Sequence, residues 1–197
     1  MIGLIDYGGG NVGSVLKAVE HLGHSAQTVD RPELLESASK LILPGQGHFG
    51  AMMNALAQRG LLAPLREMLT RGKPYLGICL GLQALYEASD EAPDVPGLGL
   101  LPGRVKRFEG VFKVPQVGWN QLEVRRESRL LRDVSPSSFV YYCHSYYGPV
   151  TEEAVAVTEY GQRYAAAVEM GPLWAVQFHP EKSSEVGLKV LSNFLDS

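Results

Sequence analysis

A chain of 197 residues is one large domain at about 100–200 residues per domain, and with 45% hydrophobic residues its folding removes roughly 70% of the unfolded surface, so neither metal nor disulfide is needed for stability. Lys plus Arg number 18 and Asp plus Glu 21, a formal charge of −3 that argues against binding to nucleic acid or to an anionic membrane. Cys79 and Cys143 stand far apart and outside any CxxC, no apolar run reaches membrane-spanning length, and Asp6 falls where a signal peptide would need apolar residues; a soluble protein of the reducing cytoplasm is expected.

In chain order, residues 2–6 read as a strand. Asn11 is placed to cap the helix that follows, whose face of Val12, Val15, Leu16, Val19 and Leu22 stops at Gly23. Strands are expected over 26–29 and 41–43, helices over 51–57 and 61–69, and a strand over 74–78 that runs into a helical pattern over 80–88. The second half changes character. Its apolar runs at 104–108, 122–124, 139–144, 154–158, 165–170 and 173–178 are short and turn-separated, as in antiparallel strands. Val186, Val190, Leu191 and Phe194 then give a closing helix its apolar face. With no repeat, low-complexity segment or linker, residues 1–197 are expected to form one α/β domain: a largely parallel central sheet flanked by helices, with an antiparallel extension.

Two glycine runs invite a dinucleotide reading. Gly8 to Gly13 fits GxGxxG between a strand and a helix, and Asp30 ends the next strand, so backbone amides could receive a pyrophosphate while the acid takes a ribose hydroxyl. Gly45 to Gly50 fits the same expression without a strand after it or an acid in place, which weakens trust in the first. No GxxxxGK[ST] is present, so a phosphate-cradling P-loop is excluded.

The run Gly77-Ile78-Cys79-Leu80-Gly81 carries more. A GxCxG between an apolar strand and a helical pattern is the cysteine form of the strained nucleophile elbow, where small neighbours are needed because the turn is too tight for β-carbons on both sides. The sulfur then stands above the sheet at a helix N-terminus, which favours the thiolate, and the Leu80 amide points into the same space as an oxyanion donor. Of five histidines, His179 has the context for a base: it ends an apolar strand, and Pro180 fixes the backbone so that Glu181 can hold one ring nitrogen and turn the other toward Cys79. His21 and His24 read as surface or capping residues. Cys143 and His144 are strand neighbours whose side chains face opposite ways, so they cannot share a metal; Cys143 reads as a core residue, and no metal spacing such as HExxH occurs. Arg125, Arg126, Arg129 and Arg132 interleave with Glu123, Glu127 and Asp133 as a solvated mixed-charge surface.

These motifs resemble the triad-type (class I) glutamine amidotransferases, whose glutaminase domains carry a GxCLGxQ elbow, here Gly77 to Gln83, and a late HPE, here His179-Pro180-Glu181. Within that family the closer resemblance is to the glutaminase subunits of imidazole glycerol phosphate synthases, through Asp6-Tyr7-Gly8 with Gly10-Asn11, Leu43-Pro44-Gly45 with Gly47 and Phe49, Gly118-Trp119-Asn120, His144-Ser145-Tyr146, and Phe178 to Ser183. The resemblance implies a flavodoxin-like fold and a cofactor-free glutaminase. Cys79 would be the nucleophile, His179 the proton carrier and Glu181 its holder. Amides of Leu80 and of Gly45, Gln46 and Gly47 would form the oxyanion hole, with Gln46 standing where the family commonly has a small apolar residue. Gly47, Gln83, Ser145 and Tyr146 would contact glutamine. It further implies a separate (β/α)8-barrel cyclase subunit as partner, met by Asn11, Trp119, Asn120, Tyr141 and Lys182, that uses the ammonia in histidine biosynthesis; a chain of this length cannot contain that barrel, which takes about 250 residues. For Trp119 a core position is the competing reading. Another amidotransferase's glutaminase, a stand-alone γ-glutamyl cysteine hydrolase and a dinucleotide-binding module remain as alternatives.

Overall fold

The computed structural model describes residues 1–197. Its centre is an eight-stranded sheet in the order β2-β1-β3-β4-β13-β12-β11-β8. Strands β1 (Ile2–Ile5), β2 (Ala26–Val29), β3 (Lys40–Gly45), β4 (Tyr75–Cys79) and β13 (Leu173–Val176) run parallel. Beyond β13, β12 (Gln162–Met170), β11 (Ala154–Tyr160) and β8 (Glu123–Val124) pair antiparallel. Strands β1, β4 and β13 are buried on both faces, and their side chains sort by the period of two: Ile5, Tyr75, Leu173 and Ala175 join one core, while Ile2, Leu4, Leu76, Ile78, Trp174 and Val176 join the other.

Helices cover both faces. On the first lie α2 (Pro32–Ser37), α3 (Phe49–Gln58) and α4 (Leu62–Thr70), contributing Leu35, Phe49, Met52, Met53, Leu56, Leu65 and Leu69. On the second, α1 (Val12–His21) inserts Val15 and Val19, and α6 (Ser184–Leu195) inserts Val190, Leu191 and Phe194. Lys40 ties the end of α6 to β3, its Nζ donating to the carbonyls of Phe194, Leu195 and Ser197. A three-stranded sheet of β10 (Tyr146–Tyr147), β6 (Leu101–Arg107) and β5 (Tyr86–Ser89), and a ribbon of β7 (Gln116–Gln121) with β9 (Phe139–His144), stand over the C-terminal ends of the parallel strands. No helix is long and apolar enough to cross a membrane.

Several expectations require correction. The helical pattern over 80–88 forms only one turn, α5 (Leu80–Gln83), and then turns into strand β5. Leu80, Leu82, Leu85 and Tyr86 are all buried, so enclosure on every side, rather than one helical face, produced the apolar run. Helix α2, opened by Pro32 at its first turn, and strand β7 were not expected. Asn11 occupies the N-cap position of α1, yet its side chain makes no capping bond. Cys143 is exposed rather than core, on the outer face of the ribbon.

Helix α6 is held mainly by Phe194, fully buried with its ring centroid 5.8 Å from that of Trp174. Phe194→Ala is expected to cost about 3–5 kcal/mol through lost transfer energy and the cavity left behind, read as a lower midpoint in denaturant unfolding with an unchanged slope.

Candidate active site

The site is built where β4 and β13 end side by side. Val176 pairs with Ile78, so the residues that follow, Gln177 to Glu181 on one strand and Cys79 on the other, emerge together at the C-terminal edge of the sheet. Open α/β sheets place their ligands at this edge.

Cys79 takes φ 55° and ψ −104°, a left-handed backbone that a residue with a β-carbon adopts only when its surroundings force it. The flanking glycines supply that force by letting the turn close on itself. A β-carbon on Gly77 would stand 2.5 Å from the carbonyl oxygen of Gly81, and one on Gly81 would stand 2.1 Å from that of Leu43. From below, the fully buried Tyr75 donates its hydroxyl to the Gly81 carbonyl at 2.8 Å. Because α5 is a single turn, its dipole is a smaller influence on the sulfur than the sequence suggested.

His179 and Glu181 sit on the segment that leaves β13. His179 Nδ1 lies 3.0 Å from Glu181 Oε1, with both side chains almost wholly buried. Pro180–Lys182 form one 3₁₀ turn, and Ser183 pins it: its Oγ donates to the His179 carbonyl at 2.7 Å and accepts from the Tyr141 amide at 2.9 Å. Nε2 of His179 is buried with no hydrogen-bond partner, which leaves it free for proton transfer. Burial opposes the charged imidazolium, but the adjacent Cys79 and then Glu181 outweigh it, and the His179 pKa is pushed up to about 10. Nearby His144 has the opposite fate. Burial, with the positive charge of His179 adding to it against the hydrogen bond to the Tyr146 carbonyl, takes it down to about 4. His144 is therefore neutral, with its proton on Nδ1, 2.7 Å from that carbonyl.

Beside the sulfur lies a cavity of about 280 Å³ lined by Gln46, Gly47, Cys79, Leu80, Gln83, Glu91, Pro115, Cys143, His144, Ser145 and Tyr146. All four expected glutamine-contact residues are on this wall. At roughly the lower limit of drug-sized pockets, the volume suits a small metabolite. Glu91 was not foreseen. One of its oxygens accepts the Phe49 amide at the start of α3 at 2.7 Å, leaving the other uncommitted, and the surface turn carrying it offers no motif by which the sequence could have announced it. On the opposite side, the Gln46 peptide is engaged by Tyr7: its amide donates to the Tyr7 hydroxyl at 3.2 Å, and that hydroxyl also stands 3.2 Å from the Gln46 carbonyl.

The residues expected at a partner face divide. Trp119 is 51% exposed, so it is not a core aromatic, and it meets Tyr141 edge-on at 6.2 Å. Lys182 Nζ lies 5.8 Å above the same Tyr141 ring. Asn120 is tied to the Glu159 carbonyl, and Asn11 reaches Glu181 Oε1 at 3.4 Å, directly behind the His179 contact. The glycine loop before α1 also packs inward: a β-carbon on Gly10 would stand 2.9 Å from the Pro44 carbonyl. Close packing explains Gly10, and the end of α1 faces the Glu181 carboxylate rather than an open phosphate site.

Residues 3–197 match the model for "Glutamine amidotransferase class-I". The chain is 48% identical to the imidazole glycerol phosphate synthase subunit HisH of Moorella thermoacetica, covering 98% of this chain and 93% of that one, and 46% identical to that of Deinococcus radiodurans, covering 97% and 91%. Among solved structures, one described as a glutamine amidotransferase superposes with TM-score 0.78 at 23% identity, over 99% of this chain and 97% of the other. PurLQS from Thermotoga maritima superposes with TM-score 0.74 at 20% identity, over 99% and 97%. At these identities the superpositions speak for the fold alone.

The histidine assignments can be read by NMR titration. Removing a group that raises His179 leaves burial less opposed, so Cys79→Ala and Glu181→Gln are each expected to move its midpoint down from about 10; a midpoint unmoved by both substitutions would contradict the assigned causes.

Proposed function

The chain belongs to the class-I glutamine amidotransferase family, and from that premise we propose that it is the glutaminase subunit of an imidazole glycerol phosphate synthase, acting in the cytoplasm in histidine biosynthesis. It hydrolyses glutamine to glutamate and ammonia and delivers the ammonia to a partner subunit. The observation that carries the chemistry is the convergence of the Cys79 elbow with the His179–Glu181 pair at the ends of two neighbouring parallel strands, beside a cavity of metabolite size.

In the proposed reaction, the Cys79 thiolate attacks the side-chain amide carbon of glutamine, and the carbonyl oxygen becomes an oxyanion received by the Leu80 amide and by the Gly45–Gly47 peptides. Imidazolium at His179 gives its proton to the departing nitrogen, so ammonia leaves and a γ-glutamyl thioester remains on Cys79. Neutral His179 then takes a proton from water as the water attacks the thioester, and glutamate departs. The raised His179 pKa supports this order, because the proton needed by the leaving group is already on the imidazole at neutral pH. For the second oxyanion donor, the Gln46 amide has to leave Tyr7 before it can turn inward, a rotation of the Gly45–Gln46 peptide that the glycine at position 45 eases. Gln83, Ser145, Tyr146 and Gly47 hold the substrate, and the uncommitted oxygen of Glu91 suits its α-ammonium group.

The partner is a (β/α)8-barrel cyclase that converts the ammonia into imidazole glycerol phosphate and an aminoimidazole carboxamide ribotide. Its docking face is the β7–β9 ribbon, where Val117, Trp119 and Phe139 are each more than half exposed and lie beside Tyr141 and Lys182; so much apolar surface on one ribbon suits a covered interface. Asn11 and Asn120 border it.

Cys79→Ala is expected to abolish glutamine hydrolysis and labelling by a glutamine-analogue electrophile while the thermal transition persists. Wild-type hydrolysis should rise strongly when the co-expressed cyclase is present. Activity retained in Cys79→Ala, or turnover indifferent to the cyclase, would overturn the assignment. Glu91→Gln, which removes the charge facing the substrate ammonium, is expected to raise KM for glutamine about tenfold or more, consistent with roughly 1.5–3 kcal/mol for a hydrogen bond to a charged group, with a smaller change in kcat.

A further inference from the structure

The sulfur of Cys79 has a polar neighbour that the triad leaves out. Gln177, the first residue after β13, is completely buried, and its Nε2 lies 3.5 Å from Sγ. Which end of that amide faces the sulfur follows from its surroundings. The Tyr146 carbonyl can only accept, so Gln83 must present Nε2 to it, at 2.8 Å. The same nitrogen stands 3.1 Å from the Gln177 side chain and uses its other proton there, so the atom it meets is Oε1. The remaining end of Gln177 is then the NH₂ group, and it faces Cys79. His144 donates to the same Tyr146 carbonyl, and the Gln177 backbone amide is fixed on the Ala166 carbonyl at 2.9 Å, so the chain of bonds has one consistent polarity from end to end.

We propose that Gln177 is a further catalytic residue, an N–H donor held on the reacting sulfur, and that Gln83 acts through it as a positioning residue in addition to lining the cavity. This rests on the reading of Cys79 as the nucleophile. A donor at 3.5 Å favours the charged sulfur over the thioester sulfur, because hydrogen bonds to ionised partners are the stronger ones. Its largest effect therefore falls on the second half of the reaction. Water attacks the thioester carbon and yields its proton to His179; the C–S bond breaks, its electron pair goes to sulfur, and the emerging thiolate regains the Gln177 hydrogen bond. Gln177 lies outside the cavity wall, so its influence belongs to the reacting sulfur rather than to substrate affinity.

The test uses the full chain, with the cyclase if it co-purifies, and the near-isosteric Gln177→Met. Expected are a kcat for glutamine reduced at least tenfold, a KM that falls with it because breakdown of the thioester has become limiting, and a γ-glutamyl adduct on Cys79 accumulating in acid-quenched samples examined by intact-protein mass spectrometry. Gln177→Glu supplies a second readout: its carboxylate repels the thiolate while its protonated form can donate, so its activity relative to wild type should rise as pH falls. Unchanged kcat in Gln177→Met, a rise in KM alone, or a Gln177→Glu profile parallel to wild type overturns the proposal. Wild-type labelling of Cys79 by a glutamine-analogue electrophile separates the two claims: its absence sinks the nucleophile reading, and its presence beside an unaffected Gln177→Met sinks only this one.

Discussion

The left-handed backbone of Cys79 is the constraint around which the site is arranged. Such a conformation costs on the order of 1–3 kcal/mol and persists only where neighbours over-determine it. Here the turn is wedged from above by the Leu43 carbonyl and supported from below by the Tyr75 hydroxyl, and a methyl group added at Gly77 or Gly81 would strike backbone. The strain lifts the sulfur out of the sheet plane at the point where β13, the next strand over, delivers His179. Pairing of β4 with β13 and distortion of the elbow are thus two halves of one device: the first sets how far apart sulfur and imidazole are, and the second sets where the sulfur points.

Around this device the protein separates two histidines of the same chemistry by environment alone. His144 and His179 are both buried, yet one is surrounded by the aromatic rings of Phe108, Tyr142 and Tyr164, and the other by a sulfur and a carboxylate. The first stays neutral and serves as a fixed donor to the Tyr146 carbonyl. The second is charged at neutral pH and, in the proposed reaction, carries the mobile proton. The second also sharpens the first, because a positive His179 makes a second positive charge at His144 still less favourable.

Much of this was legible in the residues. The elbow announced itself because a steric requirement of the turn is written directly as glycine on both sides of the cysteine, and HPE did so because proline and a carboxylate follow the imidazole at fixed offsets. Apart from α2, the alternation of strands and helices through residue 79 was equally plain. What was illegible has physical reasons. Strand β7 is patterned inside out: Gln116 is the buried residue, while Val117 and Trp119 point outward. In the proposed docking, such a strand obeys the partner's core rather than its own. The run after the elbow hid β5 because residues buried on every side lose the period that distinguishes helix from strand. Glu91 and Gln177 carried no signal, since their importance lies in what tertiary structure brings to them: a helix start for one, a reacting sulfur and the Gln83 amide for the other.

The last strand of the central sheet to be made is inserted in its middle. Between Cys79 and Leu173 lies nearly half the chain, so during synthesis β4 remains an open edge until β13 leaves the ribosome, an interval of roughly 5–20 s at typical elongation rates. Contacts of such long sequence separation form late. Cys79 is consequently translated long before His179, and Asn11 meets Glu181 across 170 positions of the chain. Until β13 and the segment after it are made, Cys79 has no His179 beside it, so the meeting of the two waits on the last strand of the sheet.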